Sequence, residues 1–545
     1  MKKTLLFVAA MLTAATSFAQ SGIEVAEPTW TKTITDAVDA AADANVNAPV
    51  VITDQGQIVK TGAFTQAFTF AGKELEPIAK SAYIVKYDKD GYELWGNALQ
   101  GAATITAITA DVAGNIFVAG VFADKVIITS TDGSTVEING MEDEIEQVSG
   151  FIAAYDKDGK LLAHKTVIPE VNWELFYTAL AMEGFYLTDS QFWINKIAVS
   201  EDKVYFTVKY VGDCTLDDVK LEGKILDMFG MGMLCMDLNS FAVVELDKDL
   251  TNAKVLASVY PSESVLYGEV EMMPRDMKFA VDGDNVFVAW TGTGDLTMTI
   301  GDESKDYSFK YGSDAQEHPF VVAKANVTTK KTAVFHAPVS EHTALFRKFA
   351  DMQVVGEKLY IAGTYIDALP FDNTKTSTSS CDAFVAVLNT SDLTVDCAET
   401  SGMDENAEGG NKNNEKVTAM IVDGNDISLL IDVVEETTKT TTVVGTYGFC
   451  YYSADDVRNI RALPVSYHVT AVSVGTAGTA VSADEGTDSK AMFFSDDFFT
   501  LGIKAIDNSQ LSIDKGAVYN LQGQRVKKAT KGVYIQNGKK FVISR

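Results

Sequence analysis

Two runs in this chain look equipped for metal chemistry. Asp88-Lys-Asp-Gly91 and Asp156-Lys-Asp-Gly159 each set two carboxylates two residues apart before a glycine, like the opening of a calcium loop. Calcium takes six to eight oxygen ligands, and the later ligands of such a loop are missing, so both runs read as hairpin turns. Glu142-Asp-Glu-Ile-Glu146 is an acidic cluster and reads as a solvated loop. The five histidines (His164, His318, His336, His342 and His468) are scattered, with no His-x-x-x-His pair and no Gly-x-Ser-x-Gly nucleophile setting. An acid pair for hydrolysis cannot be picked from 75 Asp and Glu without geometry. No cofactor, metal or catalytic residue is implied. Five cysteines, Cys214, Cys235, Cys381, Cys397 and Cys450, leave at least one outside any internal pairing. A turn at Asn389–Asp392 would set Cys397 opposite Phe384. That is roughly 10 Å along the strands from Cys381, too far for a bridge. If a disulfide forms at all, Cys214 with Cys235 is the favoured pair.

Aromatic and thioether side chains carry the stronger signal. Residues 173–193 hold Trp173, Phe176, Tyr177, Phe185, Tyr186, Phe192 and Trp193. Residues 228–236 hold Met228, Phe229, Met231, Met233 and Met236. Aromatic platforms stack on sugars or grip peptides, and methionine adapts to varied partners. The candidate ligand-binding residues are therefore Trp173, Tyr177, Tyr186 and Trp193. The alternative is that the two segments bury each other, because exposed apolar patches are uncommon on monomers.

The elements that must position these groups are strands. Seven similar units run along the chain: Pro49–Thr65, Ile105–Phe122, Ile197–Val211, Met277–Gly292, Met352–Tyr365, Val417–Val434 and Val469–Ala483. In the second, Ile105–Ala110 alternates apolar and small or polar residues, Asp111–Asn115 turns, and Ile116–Phe122 returns as an apolar strand. Gly150–Tyr155, Asp156–Gly159 and Lys160–Lys165 add a second hairpin. In unit six the third strand is placed at Gly448–Tyr452. A four-stranded sheet cannot cover both its faces alone, so the units must stack. Radial stacking of such sheets is a β-propeller. The rival, a row of β-sandwiches, is disfavoured by short links without Pro/Ser-rich linkers. Unit seven lacks a fourth strand, and Trp30–Ile34 reads as an orphan one, so the two are expected to pair and close the ring. Turns between first and second and between third and fourth strands are tight. The long insertions (123–149, 167–193, 212–240, 292–317 and 366–382) all belong to the opposite disc face, an arrangement suited to binding.

The run Phe64–Trp95, with Lys-Tyr-Asp-Lys-Asp-Gly-Tyr-Glu-Leu-Trp, resembles the SBBP repeats of bacterial seven-bladed propellers. Asp111–Phe122, with Ala-Gly-Asn-Ile-Phe-Val-Ala-Gly, matches the same pattern. The likeness covers most of 46–495 and implies a fold, not an activity. After Asp507 the character changes. Tyr519-Asn-Leu-Gln-Gly-Gln-Arg-Val526, Lys531-Gly-Val-Tyr-Ile535 and the basic close resemble the C-terminal sorting modules of exported Bacteroidetes proteins, the type IX secretion signal family. This module is shorter than the family's.

Charge and leader complete the reading. Lys2-Lys3, the apolar Leu5–Leu12 and Ser17-Phe18-Ala19 form a signal peptide pattern. The apolar stretch is too short to span a bilayer, and no other segment reaches the ~20 apolar residues a membrane helix needs. Without Lys2 and Lys3, 43 basic residues face 75 acidic ones, leaving −32. Residues 505–545 carry +6, so 20–504 carry −38. That excess argues against nucleic acid, whose phosphates demand a basic surface. The expectation is an all-β chain: signal peptide 1–19, a seven-bladed β-propeller of four-stranded antiparallel blades at 20–504, and a small C-terminal β module at 505–545. It would be secreted or held at the cell surface, with the periplasm as the alternative. Its expected role is non-catalytic binding of an extracellular glycan or protein through the long-loop face. The alternatives are a hydrolase or lyase at the channel mouth and a structural surface protein.

Overall fold

The computed structural model describes residues 24–25, 27–35, 49–141, 148–170, 185–187, 192–200, 202–216, 219–227, 234–261, 275–291, 294–300, 303–309, 320–337, 348–365, 368–369, 371–376, 382–400, 414–423, 426–434, 440–448, 459–462, 468–475, 477–485, 487–495, 518–519, 525–526, 532–536 and 539–543, with a few single residues between them. Two compact units divide the chain at Thr500 and Leu501.

The first unit is an all-β propeller. Its first sheet runs Val50–Ile52, Ile58–Phe64, Ser81–Tyr87, Glu93–Gln100. The second runs Ala103–Ala110, Ile116–Ala123, Val148–Tyr155, Leu161–Glu170, and the third Trp193–Val199, Lys203–Val211, Leu234–Asp247, Lys254–Pro261. The fourth and fifth repeat the order with Arg275–Asp282 to Thr332–Ala337 and Lys348–Val355 to Val395–Thr400. The sixth comprises Asn414–Asp423, Asp426–Val434, Thr440–Gly448 and Asn459–Ala462. Its third strand therefore precedes the expected Gly448–Tyr452. Three successive threonines at Thr440–Thr442 hide the strand, since they offer no alternation to read. In the last sheet His468–Gly475, Gly478–Glu485 and Asp488–Phe494 are completed by Trp30–Ile34, which pairs antiparallel with Trp30 opposite Phe493, as expected.

Alternation and β-branched content make these strands, and burial between sheets holds them. Ile116-Phe-Val-Ala-Gly-Val-Phe122 is buried on both faces. One side meets the first sheet through Ile116, Val118 and Phe122. The other meets the third through Phe117, Ala119 and Val121. The pattern continues from the third sheet to the sixth, and Val50, Ile52 and Ile58 of the first sheet pack on Ala480 and Phe493 of the last. First strands of neighbouring sheets lie side by side, so they form the inner ring. Five of them carry a β-bulge at matching positions, before Lys196, Lys278, Asp351, Ala419 and Ala471. A bulge sharpens local twist and re-aims a side chain.

The expected tight turns are present. The Asp88 carboxylate accepts from the N–H groups of Asp90 and Tyr92, and Asp156 does the same for Asp158 and Lys160. Gly91 and Gly159 both sit at φ +83°, a conformation that favours glycine. The Asp-Lys-Asp-Gly runs are hairpin turns.

The insertions differ from the expected mass of loops. Lys125–Thr129 and Thr135–Asn139, inserted within the second sheet, form a hairpin that hydrogen-bonds to the outer strand of the first sheet. Asp213–Leu216 with Val219–Leu221 caps the outer strand of the second sheet, and Gly294–Ile300 with Glu303–Phe309 caps the third. Each of these three hairpins thus closes the edge of the sheet before it, whereas Ala368–Leu369 and Asp372–Thr376 pair, among the described residues, only with each other. An outer strand has unpaired backbone groups on one side, and a hairpin satisfies them.

Cysteine pairing also departs from expectation. Cys214 is a buried thiol, whereas Cys397 is disulfide-bonded. A wider turn, Asn389–Thr394 with Leu393 at φ +61°, sets Cys397 opposite Val387 rather than Phe384. Cys381, Cys450 and the Cys235 side chain lie outside the description.

In the second unit, Val518–Tyr519, Arg525–Val526, Gly532–Gln536 and Lys539–Ile543 form one antiparallel sheet, with the last two strands joined as the expected hairpin.

Candidate functional site

The four aromatic candidates have unlike settings. Tyr177 is 60% exposed. Trp193 opens the innermost strand of the third sheet, opposite Lys209, and packs against the core between the second and third sheets. Tyr186 lies in Phe185–Leu187, paired in parallel with Leu234–Met236 through Tyr186 and Cys235, and its side chain lies outside the description. Trp173 and Glu142–Glu146 also lie outside it. The pairing of Phe185 with Leu234 and of Leu187 with Met236 brings the aromatic and methionine-rich insertions together through their backbones.

Polar groups of the inner ring bind one another. Lys196 reaches across the fourth sheet to Asp351 at 3.0 Å and to the Met352 carbonyl at 3.1 Å. Its ammonium sits 5.9 Å from the Phe279 ring centroid. Burial acts to raise Asp351, but the Lys196 charge, the Gln353 amide and the Met352 N–H outweigh it and hold the carboxyl below its usual range. The Gln353 amide also donates to the Met420 carbonyl at 2.6 Å. This network ties the third, fifth and sixth sheets together.

An open cleft of about 490 Å³ lies between the first and second sheets. Phe70, Ala71 and Lys73 come from the hairpin Phe68–Phe70 and Lys73–Leu75. Leu94, Trp95 and Gly96 come from the outer strand of the first sheet, and Thr131 from the turn of its capping hairpin. Lys157 and Asp158 come from a tight turn of the second sheet. The volume falls within the span of small-ligand sites.

This cleft is rigidly built. The Trp95 indole N–H donates to the Lys157 carbonyl at 3.1 Å, and the Lys86 ammonium donates to the same oxygen at 2.9 Å. Burial pulls Lys86 down to about 8. The Gly159 carbonyl accepts from the Asn97 amide at 2.7 Å, and the Thr131 hydroxyl donates to the Asp158 carbonyl at 3.0 Å. A Cβ on Gly159 would stand 2.6 Å from the Trp95 ring, so only glycine lets the turn seat there. Lys73 is different. Among the described residues its ammonium has only long contacts, to Asn97 Oδ1 at 3.5 Å and the Ser130 carbonyl at 3.4 Å, and burial pulls its pKa down. Leu94 is 41% exposed at the rim and Tyr92, two residues before it, 70%. No local motif announces this cleft, because its walls come from five separate segments, Gln57 being the fifth. The nearest signal is Phe68-Thr-Phe-Ala-Gly-Lys-Glu-Leu75, which reads as a short hairpin with two aromatic residues on one face.

The fold and the cleft define the chain as a β-propeller with built surfaces between its sheets. No protein-family model matches it, and no curated protein matches it. Among solved structures it is similar to the β-propeller domain of Cps50 (Swd1) from Myceliophteria thermophila, at 9% identity and TM-score 0.38, covering 86% of this chain and 100% of that one. The Nup133 β-propeller domain of Vanderwaltozyma polyspora matches at 8% identity and TM-score 0.33, covering 86% and 99%. Virginiamycin B lyase from Staphylococcus aureus matches at 8% identity and TM-score 0.27, covering 73% and 96%.

Proposed function

We propose that this protein is an exported, non-catalytic, seven-bladed β-propeller that binds an extracellular glycan or protein. The observation that carries the reading is the treatment of the insertions. Three of them fold into hairpins that cap sheet edges, one of these helps wall an open cleft, and Lys196 and Asp351 of the inner ring are engaged with each other. Rigid scaffolding around a partly apolar, partly polar hollow suits recognition. Seven blades fit the sheet order and the packing of the first sheet on the last. Export fits the leader pattern at Lys2–Ala19, and the SBBP and Bacteroidetes sorting resemblances agree with it. Secretion or retention at the cell surface follows. The four-stranded sheet of the second unit suits a sorting module.

The test is a glycan array and a cell-surface pull-down with the full chain, beside Tyr177→Ala and Leu94→Asp. Loss of a bound ligand in either variant, with unchanged melting temperature, assigns that surface. Binding untouched by both removes both surfaces from the reading.

A further inference from the structure

The cleft between the first and second sheets has a charge that its own walls do not satisfy. The chain as a whole carries −30, yet this hollow is lined by Lys73 and Lys157 against Asp158. Lys157 and Asp158 are paired with each other at 2.7 Å. Glu93, on the outer strand of the first sheet, accepts the Ala71 N–H at 2.6 Å. Lys73 is left with two neutral oxygens at the outer limit of hydrogen bonding. A half-buried cation without a close carboxylate favours an anion. Around it the walls are of two kinds. Leu94 and the edge of Trp95 offer apolar contact, while Gln57, Thr131 and Asp158 offer donors and acceptors for hydroxyls. That combination matches a pyranose ring, which has apolar C–H faces and a hydroxyl rim. A peptide carboxylate would use Lys73 but leave the hydroxyl-binding wall idle.

We propose that this cleft binds a carboxylated sugar unit, a uronate, within an extracellular polysaccharide. The carboxylate lies on the Lys73 ammonium, the ring lies against Leu94 and Trp95, and the hydroxyls meet Thr131 and Asp158. The proposal rests on the glycan-binding reading and sharpens it to one ligand chemistry and one place.

Calorimetric titration of the full chain with galacturonate, glucuronate and mannuronate trisaccharides tests it, with each trisaccharide's carboxyl-reduced form as the control. At least one uronate should bind at least tenfold more tightly than its reduced form, and added salt should weaken it. Lys73→Gln should lose at least tenfold in affinity with an unchanged melting temperature, and Leu94→Ser should lose less. Equal affinity for acid and reduced forms overturns the proposal, as does full affinity in Lys73→Gln. Tighter binding of a glutamate-rich hexapeptide than of any uronate overturns the sugar assignment. Array binding abolished by Tyr177→Ala but untouched by Lys73→Gln sinks this site while leaving the glycan reading standing. An array with no bound glycan sinks both.

Discussion

The interface between the second and third sheets and the seam between the last and the first do the same job with different materials. The former is mainly apolar at its centre, with Phe117, Ala119, Val121 and Ile152 against Ile194, Phe206 and Val208, and the Thr106 hydroxyl donates across it to the Ile194 carbonyl at 2.7 Å. The seam keeps an apolar patch but adds a buried polar set. Lys60 donates to the Ser482 hydroxyl, the Thr470 hydroxyl meets Ser482 at 2.8 Å, and the Tyr83 hydroxyl donates to Ser489 at 3.0 Å. Consecutive sheets find each other because the chain links them. The seam joins segments about as far apart in sequence as the chain allows, among sheets whose apolar faces are all alike. Hydrophobic contact alone does not distinguish partners of similar shape, whereas a buried lysine or tyrosine hydroxyl is tolerated only against its complement. The polar bonds at the seam therefore add selectivity to its apolar patch, as Lys86, Trp95 and Asn97 do between the first and second sheets.

The contrast can be broken most severely at Ile34, on the strand that completes the last sheet. Ile34 is buried beside Phe64, Phe70 and Leu75. Ile34→Asp strands a carboxylate there and should lower stability by more than about 4 kcal/mol, seen in chemical denaturation. A conventional interface should respond almost as strongly to a cavity. Trp290 is 1% exposed between the third and fourth sheets, and Trp290→Ala should cost about 3–5 kcal/mol in the same assay.

The seam should respond to pH, as should the interface between the first and second sheets, where Lys86 is likewise lowered to about 8. Burial lowers Lys60 from 10.5 to about 8, with Asp484 partly opposing the shift. The folded protein then releases this proton at lower pH than the unfolded chain does. Between about pH 8 and 10.5 the unfolded state binds more protons, so stability rises with pH, by on the order of 2–3 kcal/mol in total. Below pH 8 the lysine is charged in both states and the burden is fully present. Raising pH from 7 to 9.5 should stabilise the protein, and Lys60→Met should shrink that slope while leaving the part that Lys86 contributes. A slope unchanged in Lys60→Met would remove the lysine from the account of the seam. Ser489→Ala, which leaves the Tyr83 hydroxyl buried without that partner, should cost about 1–3 kcal/mol. At the small end, Lys89→Ala breaks only the exposed pair with Asp90 and should leave the melting temperature unmoved.

Much of this fold can be read from local sequence. Asp111–Asn115 and Asp156–Gly159 announce their turns because Asp and Gly perform the turn chemistry themselves. Trp30–Ile34 is legible as the missing strand because the last unit stops one short. The capping hairpins are not legible in this way. Whether Lys125–Thr129 pairs with Glu93–Gln100 depends on an edge left open by a different unit, and no local pattern records it. The cleft is hidden for the same reason, since Lys73, Leu94, Thr131 and Asp158 meet only after two sheets and two hairpins have packed. Trp193 stood out by residue type, yet it packs against the core at the start of the innermost strand.

The pairing of Trp30 with Phe493 sets a timetable for synthesis. Thr29 and Ser495, which hydrogen-bond at the same place, are 466 residues apart. At the usual pace of a ribosome the early strand waits roughly 25 to 90 seconds for its mate. During that interval it is a sticky ribbon attached to a growing, incomplete disc. A second molecule made nearby presents the same vacancy, so crowded expression should favour pairs of chains that have exchanged this ribbon. Dilution or slower translation should restore the single-chain form.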